Sequence, residues 1–188
     1  KEGKQVCIAD LDIVNPYFRT KDSAAVLEAA GIHLISPHFA NTNVDIPSLP
    51  KEYGSVFVTD EYAVIDVGGD SDGATALGVH HQQYEACGYS MYYVYNYYRP
   101  YISDPRAAAI MLKEIEASSR MKFCGIINNS NLGTETTPQT VLDSIPYIES
   151  LSKLSGLPIW LYTATMEVAK GLEGKLSPVL PLQLQEKY

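Results

Sequence analysis

The apolar residues of this chain fall into short unbroken runs, separated by longer stretches with helical spacing. An antiparallel strand with one wet face alternates, so unbroken runs predict parallel strands buried on both faces. The pattern predicts strands over 5–9, 32–35, 62–67, 90–95, 123–127 and 158–162. Helical spacing predicts helices over 21–30, 74–87, 105–120 and 138–154, and a short one over 166–172. Residues 49–58 read as a short helix or an irregular segment. Gly31 and Gly156 stand where helices stop, and Asp104 caps a helix whose first position is Pro105. Residues 36–50 hold three prolines and read as a loop. Strand–helix alternation with short links predicts right-handed crossovers and an α/β fold: a three-layer α/β/α sandwich around a mainly parallel sheet, in one domain over 1–188.

Size and charge narrow the class. The chain has 188 residues, 46% hydrophobic and 19% charged, which suits one globular domain. Its runs stay short of the roughly 18 apolar residues that a membrane span needs. Pro178 and Pro181 make the tail a poor amphipathic membrane helix. The net charge of -8 argues against nucleic acid as a main partner and against an anionic membrane. The chain begins at Lys1, not Met, with no secretory signal ahead of the first strand. Cys7, Cys87 and Cys124 are far apart and form no Cys-x-x-Cys pair, so they read as buried, reduced thiols of a cytoplasmic protein.

Candidate chemistry gathers at strand ends. Asp10-Leu11-Asp12 follows the first apolar run, and Asn15 and Arg19 follow it. Open α/β sheets place ligands at such ends. A metal–nucleotide site needs a carboxylate for Mg²⁺ and a group that orients the attacking water. The plainer reading makes these turn and capping residues before Pro16. Asp66-Val67-Gly68-Gly69 is the stronger signal. A carboxylate ends an apolar run, and paired glycines admit a ligand close to the backbone. The Gly69 amide is placed to donate to a terminal phosphate; an ordinary strand end with a glycine turn is the alternative. Asn128 and Asn129 end another run, where an amide could read a purine edge or simply shape a turn. Seven tyrosines lie between 89 and 101, and they read chiefly as strand packing. Arg99 beside them could meet a phosphate or an acidic neighbour. His80 and His81 diverge on a helix, and no Gly-x-Ser-x-Gly elbow supports serine or cysteine hydrolase chemistry.

Together these residues resemble the ParA/MinD-like branch of P-loop ATPases, which includes the nitrogenase iron protein and relatives of cobyrinate diamide synthase. The likeness runs through essentially the whole chain. Residues 1–6 resemble the family's link into its second strand, Asp10-Leu11-Asp12 the acidic motif that ends it, and Asp66-x-x-Gly69 the Walker B and switch II motif. Asn128 falls near the strand end where the family has an adenine-contacting Asn. The resemblance implies ATP and Mg²⁺ as ligands, with Asp66 and Asp10 at the metal. It also implies that Asp10 or Asp12 places the attacking water. Gly68, Gly69, Asn15, Arg19, Arg99, Asn128 and Asn129 form the candidate nucleotide contacts.

One family element is missing from these residues. No Gly-rich loop ending in Lys-Ser or Lys-Thr occurs. In the family, the first strand, that loop and the first helix precede the point where this chain begins. A βαβ unit takes roughly 30 residues or more. The expectation is an upstream segment in the natural gene product, or a dimer that fills the slot by strand exchange. The chain alone is expected to bind ATP weakly, if at all. The leading functional expectation is an ATP-gated switch working as a homodimer with a protein partner. A scaffold that kept the fold, and an ATP-dependent synthetase of the same superfamily, are the alternatives.

Overall fold

The computed structural model describes residues 3–12, 20–36 and 51–184. The predicted loop 36–50 lies outside these except for Ser36, and so do Asn15 and Arg19. The chain is α/β, with two all-parallel sheets in place of the single sheet predicted. Two compact units carry them: residues 1–89 with 118–120, and 90–117 with 121–188.

In the first unit, strand β1 (Val6–Asp10) lies between β2 (His33–Ile35) and β3 (Tyr62–Asp66). Cys7, Ala9 and Leu11 are buried, as an apolar central strand requires. A 3₁₀ turn (Thr20–Ser23) leads into helix α1 (Ala24–Ala29), and Gly31 at φ 73° ends it as predicted. Residues Lys51–Phe57 form a 3₁₀ helix. Tyr53 and Phe57 from it pack with His80 and Tyr84. The Tyr53 and Tyr84 hydroxyls share a short hydrogen bond. Burial pushes the Tyr53 phenol up to about 12, against the opposing pull of that bond.

The predicted helix 74–87 is two helices, α2 (Ser71–Gly78) and α3 (His81–Cys87). At Gly78 a Cβ would sit 2.5 Å from the Ser118 carbonyl oxygen, so the backbone there is approached too closely for a side chain. The burial prediction fails at β3, where Tyr62 and Val64 are 60% and 52% exposed. This strand is the edge of its sheet, so its apolar character was misread as two-sided burial.

The second unit orders its sheet β4 (Met91–Tyr95), β5 (Phe123–Asn128), β6 (Ile159–Thr165), β7 (Val179–Leu182). Each step advances the same way, so right-handed crossovers place all three connections on one face. Those connections carry α4 (Pro105–Ser119), then α5 (Pro138–Asp143) and α6 (Ile145–Ser155), then α7 (Met166–Lys170). Tyr93 and Tyr95 are buried while Val94 between them is 55% exposed. Tyr92 and Trp160 stack with ring centroids 4.3 Å apart, across Gly125 on the strand between them. Val141, Ala164, Val168 and Leu172 form a buried cluster.

Local signals placed two helix ends of this unit correctly. The Asp104 carboxylate accepts from the Arg106 amide at 3.1 Å, and Gly156 adopts the left-handed conformation. The predicted helix 138–154 divides at Ser144, because Pro146 in the first turn of α6 has no amide hydrogen to continue the ladder. Strand β7 was not predicted. Its Pro181 is tolerated because β7 is an edge strand. Of the cysteines only Cys7 is buried, and burial with the Glu61 charge raises its thiol. Cys87 and Cys124 are exposed free thiols, which corrects the buried reading.

Candidate functional site

Parallel pairing sets the geometry at the strand ends of the first unit. Asp10 and Asp66 are register partners on adjacent strands, so both carboxylates leave the sheet at the same level. Asp10 is 2% exposed, whereas Asp66 is open to solvent. The Asp10 carboxylate accepts from the Asp12 amide at 3.1 Å, a turn that returns Asp12 toward the site. The Leu11 amide donates to the Asp66 carbonyl at 2.7 Å, extending the pairing one residue beyond β1.

The glycines predicted here have a measurable reason. A Cβ on Gly68 would lie 3.2 Å from the Asp12 carboxylate. A Cβ on Gly73 would lie 2.9 Å from the Gly68 Cα and carbonyl oxygen. The first turn of α2 thus packs backbone to backbone on the turn after β3. Asp70 caps α2 through the Gly73 amide at 2.8 Å, and Gly69 is exposed. The structure therefore brings Asp10, Asp12, Asp66 and Gly68 together.

Thr20 joins them, and sequence reasoning missed it. Its hydroxyl donates to the Asp66 carboxylate at 2.5 Å across 46 positions. No spacing rule connects a threonine in a polar connection to a strand end so far along the chain.

The asparagine cluster belongs to the second unit and is built differently. Asn128 is fully buried. Its amide donates to Ser144 Oγ at 2.9 Å, and its carbonyl accepts from the Ser130 amide at 3.0 Å. Asn129 accepts from the Thr163 hydroxyl at 2.6 Å. Asn131 and Asn96 bond reciprocally, with Asn96 accepting the Asn131 amide at 3.2 Å and donating to its carbonyl at 3.3 Å. These bonds fasten the loop after β4 to the loop after β5. Sequence reasoning singled out Asn128 and Asn129 but missed Asn96, Ser130, Ser144 and Thr163, whose role depends on tertiary contact.

Beside this network an open groove of about 730 Å³ lies past the ends of β6 and β7. Thr134, Thr137, Thr165, Glu167, Val168 and Leu182 are among its walls. Asn129 lines a smaller adjoining cavity. Arg99 is exposed, and its charge lowers the Tyr93 phenol, which burial pushes up to about 12.

Among the described residues no group of three or more His, Cys, Asp or Glu side chains is arranged to hold a metal by itself. None of their helices is long and apolar enough to cross a membrane. Comparison with protein-family models, curated proteins and solved structures returns no match.

Proposed function

We propose that the ends of β1 and β3 handle a magnesium–nucleotide, and that the chain is an ATPase of the ParA/MinD-like P-loop type. The observation that carries this reading is the register pairing of Asp10 with Asp66, beside a Gly68 turn that packs closely on the Asp12 carboxylate. The sequence likeness points to the family, and the register pairing supports those residues acting together.

The donor set fits Mg²⁺. Among the described residues, the side chains brought together there offer hard oxygens, from Asp10, Asp12, Asp66 and Thr20. Mg²⁺ is commonly held by one or two carboxylates together with water and substrate phosphates. On this reading the carboxylates supply part of the ion's shell, and the nucleotide and water supply the rest. Asp66 and Asp10 would hold it, and the ion would neutralise charge on the phosphate oxygens. Asp12 would orient the attacking water. The exposed Gly69 amide would face the terminal phosphate.

The biological reading is a cytoplasmic switch that works as a homodimer on a protein partner. Nucleotide would order the segments after Asp12 and Asp66, and hydrolysis would release them. The test is Asp66→Ala in the natural gene product, with Mg²⁺-dependent phosphate release as the readout. Loss of release with the fold retained is expected; unchanged turnover would remove Asp66 from the mechanism.

A further inference from the structure

Asp66 is held at both of its polar ends by the segment that follows β1. The Leu11 amide takes its backbone carbonyl at 2.7 Å, and the Thr20 hydroxyl takes its carboxylate at 2.5 Å. The first bond belongs to the end of a parallel ladder and would form with almost any residue at 66. The second depends on two particular side chains, one of them a carboxylate at the edge of the sheet. Such an exposed carboxylate is free to rotate unless something fixes it, and a hydrogen bond to a charged oxygen is stronger than one between neutral groups. The backbone bond fixes where Asp66 sits, and the side-chain bond fixes where its carboxylate points.

We infer that Thr20 is a positioning residue for the Asp66 carboxylate, presenting its oxygens to a divalent cation. This rests on the magnesium–nucleotide reading of the same site. Thr20 starts the 3₁₀ turn leading into α1, so its hydroxyl is held by a short ordered element. The bond takes up one carboxylate oxygen, Oδ2, and leaves the position of Oδ1 defined by it. The predicted motifs after β1 and after β3 thereby become one unit, with Thr20 as the side-chain link.

The test uses Mn²⁺ with a non-hydrolysable ATP analogue as the probe, followed by electron paramagnetic resonance on the natural gene product, so that no turnover is needed. Thr20→Val removes the hydroxyl at nearly constant shape, and Thr20→Ser keeps it. Circular dichroism and thermal melting check that each variant folds. Thr20→Val is expected to weaken Mn²⁺ binding roughly tenfold, the lower end of the effect of removing a partner that orients a metal-ligating carboxylate. Thr20→Ser is expected to stay close to native, and Asp66→Asn to lose the binding. Native-like binding by Thr20→Val, with binding lost in Asp66→Asn, would overturn the role of Thr20 and leave the metal reading standing. Equal weakening by the Ser and Val variants would also overturn it, because the hydroxyl would not be what matters. Absence of Mn²⁺ binding by the native chain, or binding unaffected by Asp66→Asn, would overturn the metal reading and this inference with it.

Discussion

At the end of β3 the polar side chain faces outward: Asp66 is exposed beside the buried Asp10, and its carboxylate takes a bond from Thr20. At the ends of β5 and β6 the polar side chains face one another: Asn128 is fully buried, and both ends of its amide are used inside the fold. Both clusters sit where parallel strands stop, and both looked like ligand sites in the sequence. The difference lies in where the hydrogen-bonding capacity goes. A buried amide satisfied by Ser130 and Ser144 holds a loop in place, whereas an exposed carboxylate beside a glycine turn retains capacity for a ligand.

The largest expected effect sharpens this contrast. Asp66→Ala should reduce Mg²⁺-dependent ATP hydrolysis by the natural gene product about a hundredfold or more, with a melting temperature close to native. Asn128→Ala should behave in the opposite way. It strands the buried Ser130 amide and disrupts the Ser144 contact, so urea unfolding should show a loss of about 2–4 kcal/mol. Equal stability losses in the two variants would break the comparison.

The next effect tests the glycine turn. Gly73→Ala sets a Cβ against the Gly68 backbone, so the turn must shift. A loss of about 1–3 kcal/mol is expected by chemical denaturation, with Mg²⁺ dependence altered as Gly68 moves under Asp12. A native-like Gly73→Ala protein would show that the close approach is dispensable.

Two smaller effects follow. Tyr53 in the first unit and Tyr93 in the second are both pushed up to about 12 by burial. The unfolded phenol loses its proton near pH 10, before the folded one does. This contribution is therefore complete below pH 10 and is lost as pH rises from 10 through about 12. Each residue should cost about 1 kcal/mol of stability between pH 9 and 11, a loss that Tyr93→Phe should reduce. Urea midpoints across that range check it. Val64→Thr on the exposed edge strand should change stability by less than about 0.5 kcal/mol. A larger loss would mean that something covers β3.

Signals confined to a few neighbouring residues were legible in the sequence. Asp104 with Pro105, the stops at Gly31 and Gly156, and parallel pairing of the apolar runs all follow from local chemistry. What escaped depends on partners far along the chain. The break after Gly78 is matched to a carbonyl forty positions away, at Ser118. Strand β7 hid behind prolines that only an edge position tolerates. The apolar run of β3 gave no sign that its sheet would stop there. Where β1 and β3 end, the meeting of Asp10, Asp12, Asp66 and Gly68 was legible because motif spacing reflects strand ends. Thr20 was not, since its role comes from a single contact across 46 positions.

The central claim is that the acidic ends of β1 and β3 bind nucleotide through a magnesium ion. Calorimetry of ATP binding by the natural gene product, with and without Mg²⁺ and repeated on Asp66→Ala, tests it most directly. Binding that requires Mg²⁺ and is lost in Asp66→Ala is the predicted result. Absence of binding, or binding indifferent to both Mg²⁺ and Asp66, would contradict the claim and leave the strand-end carboxylates as architecture.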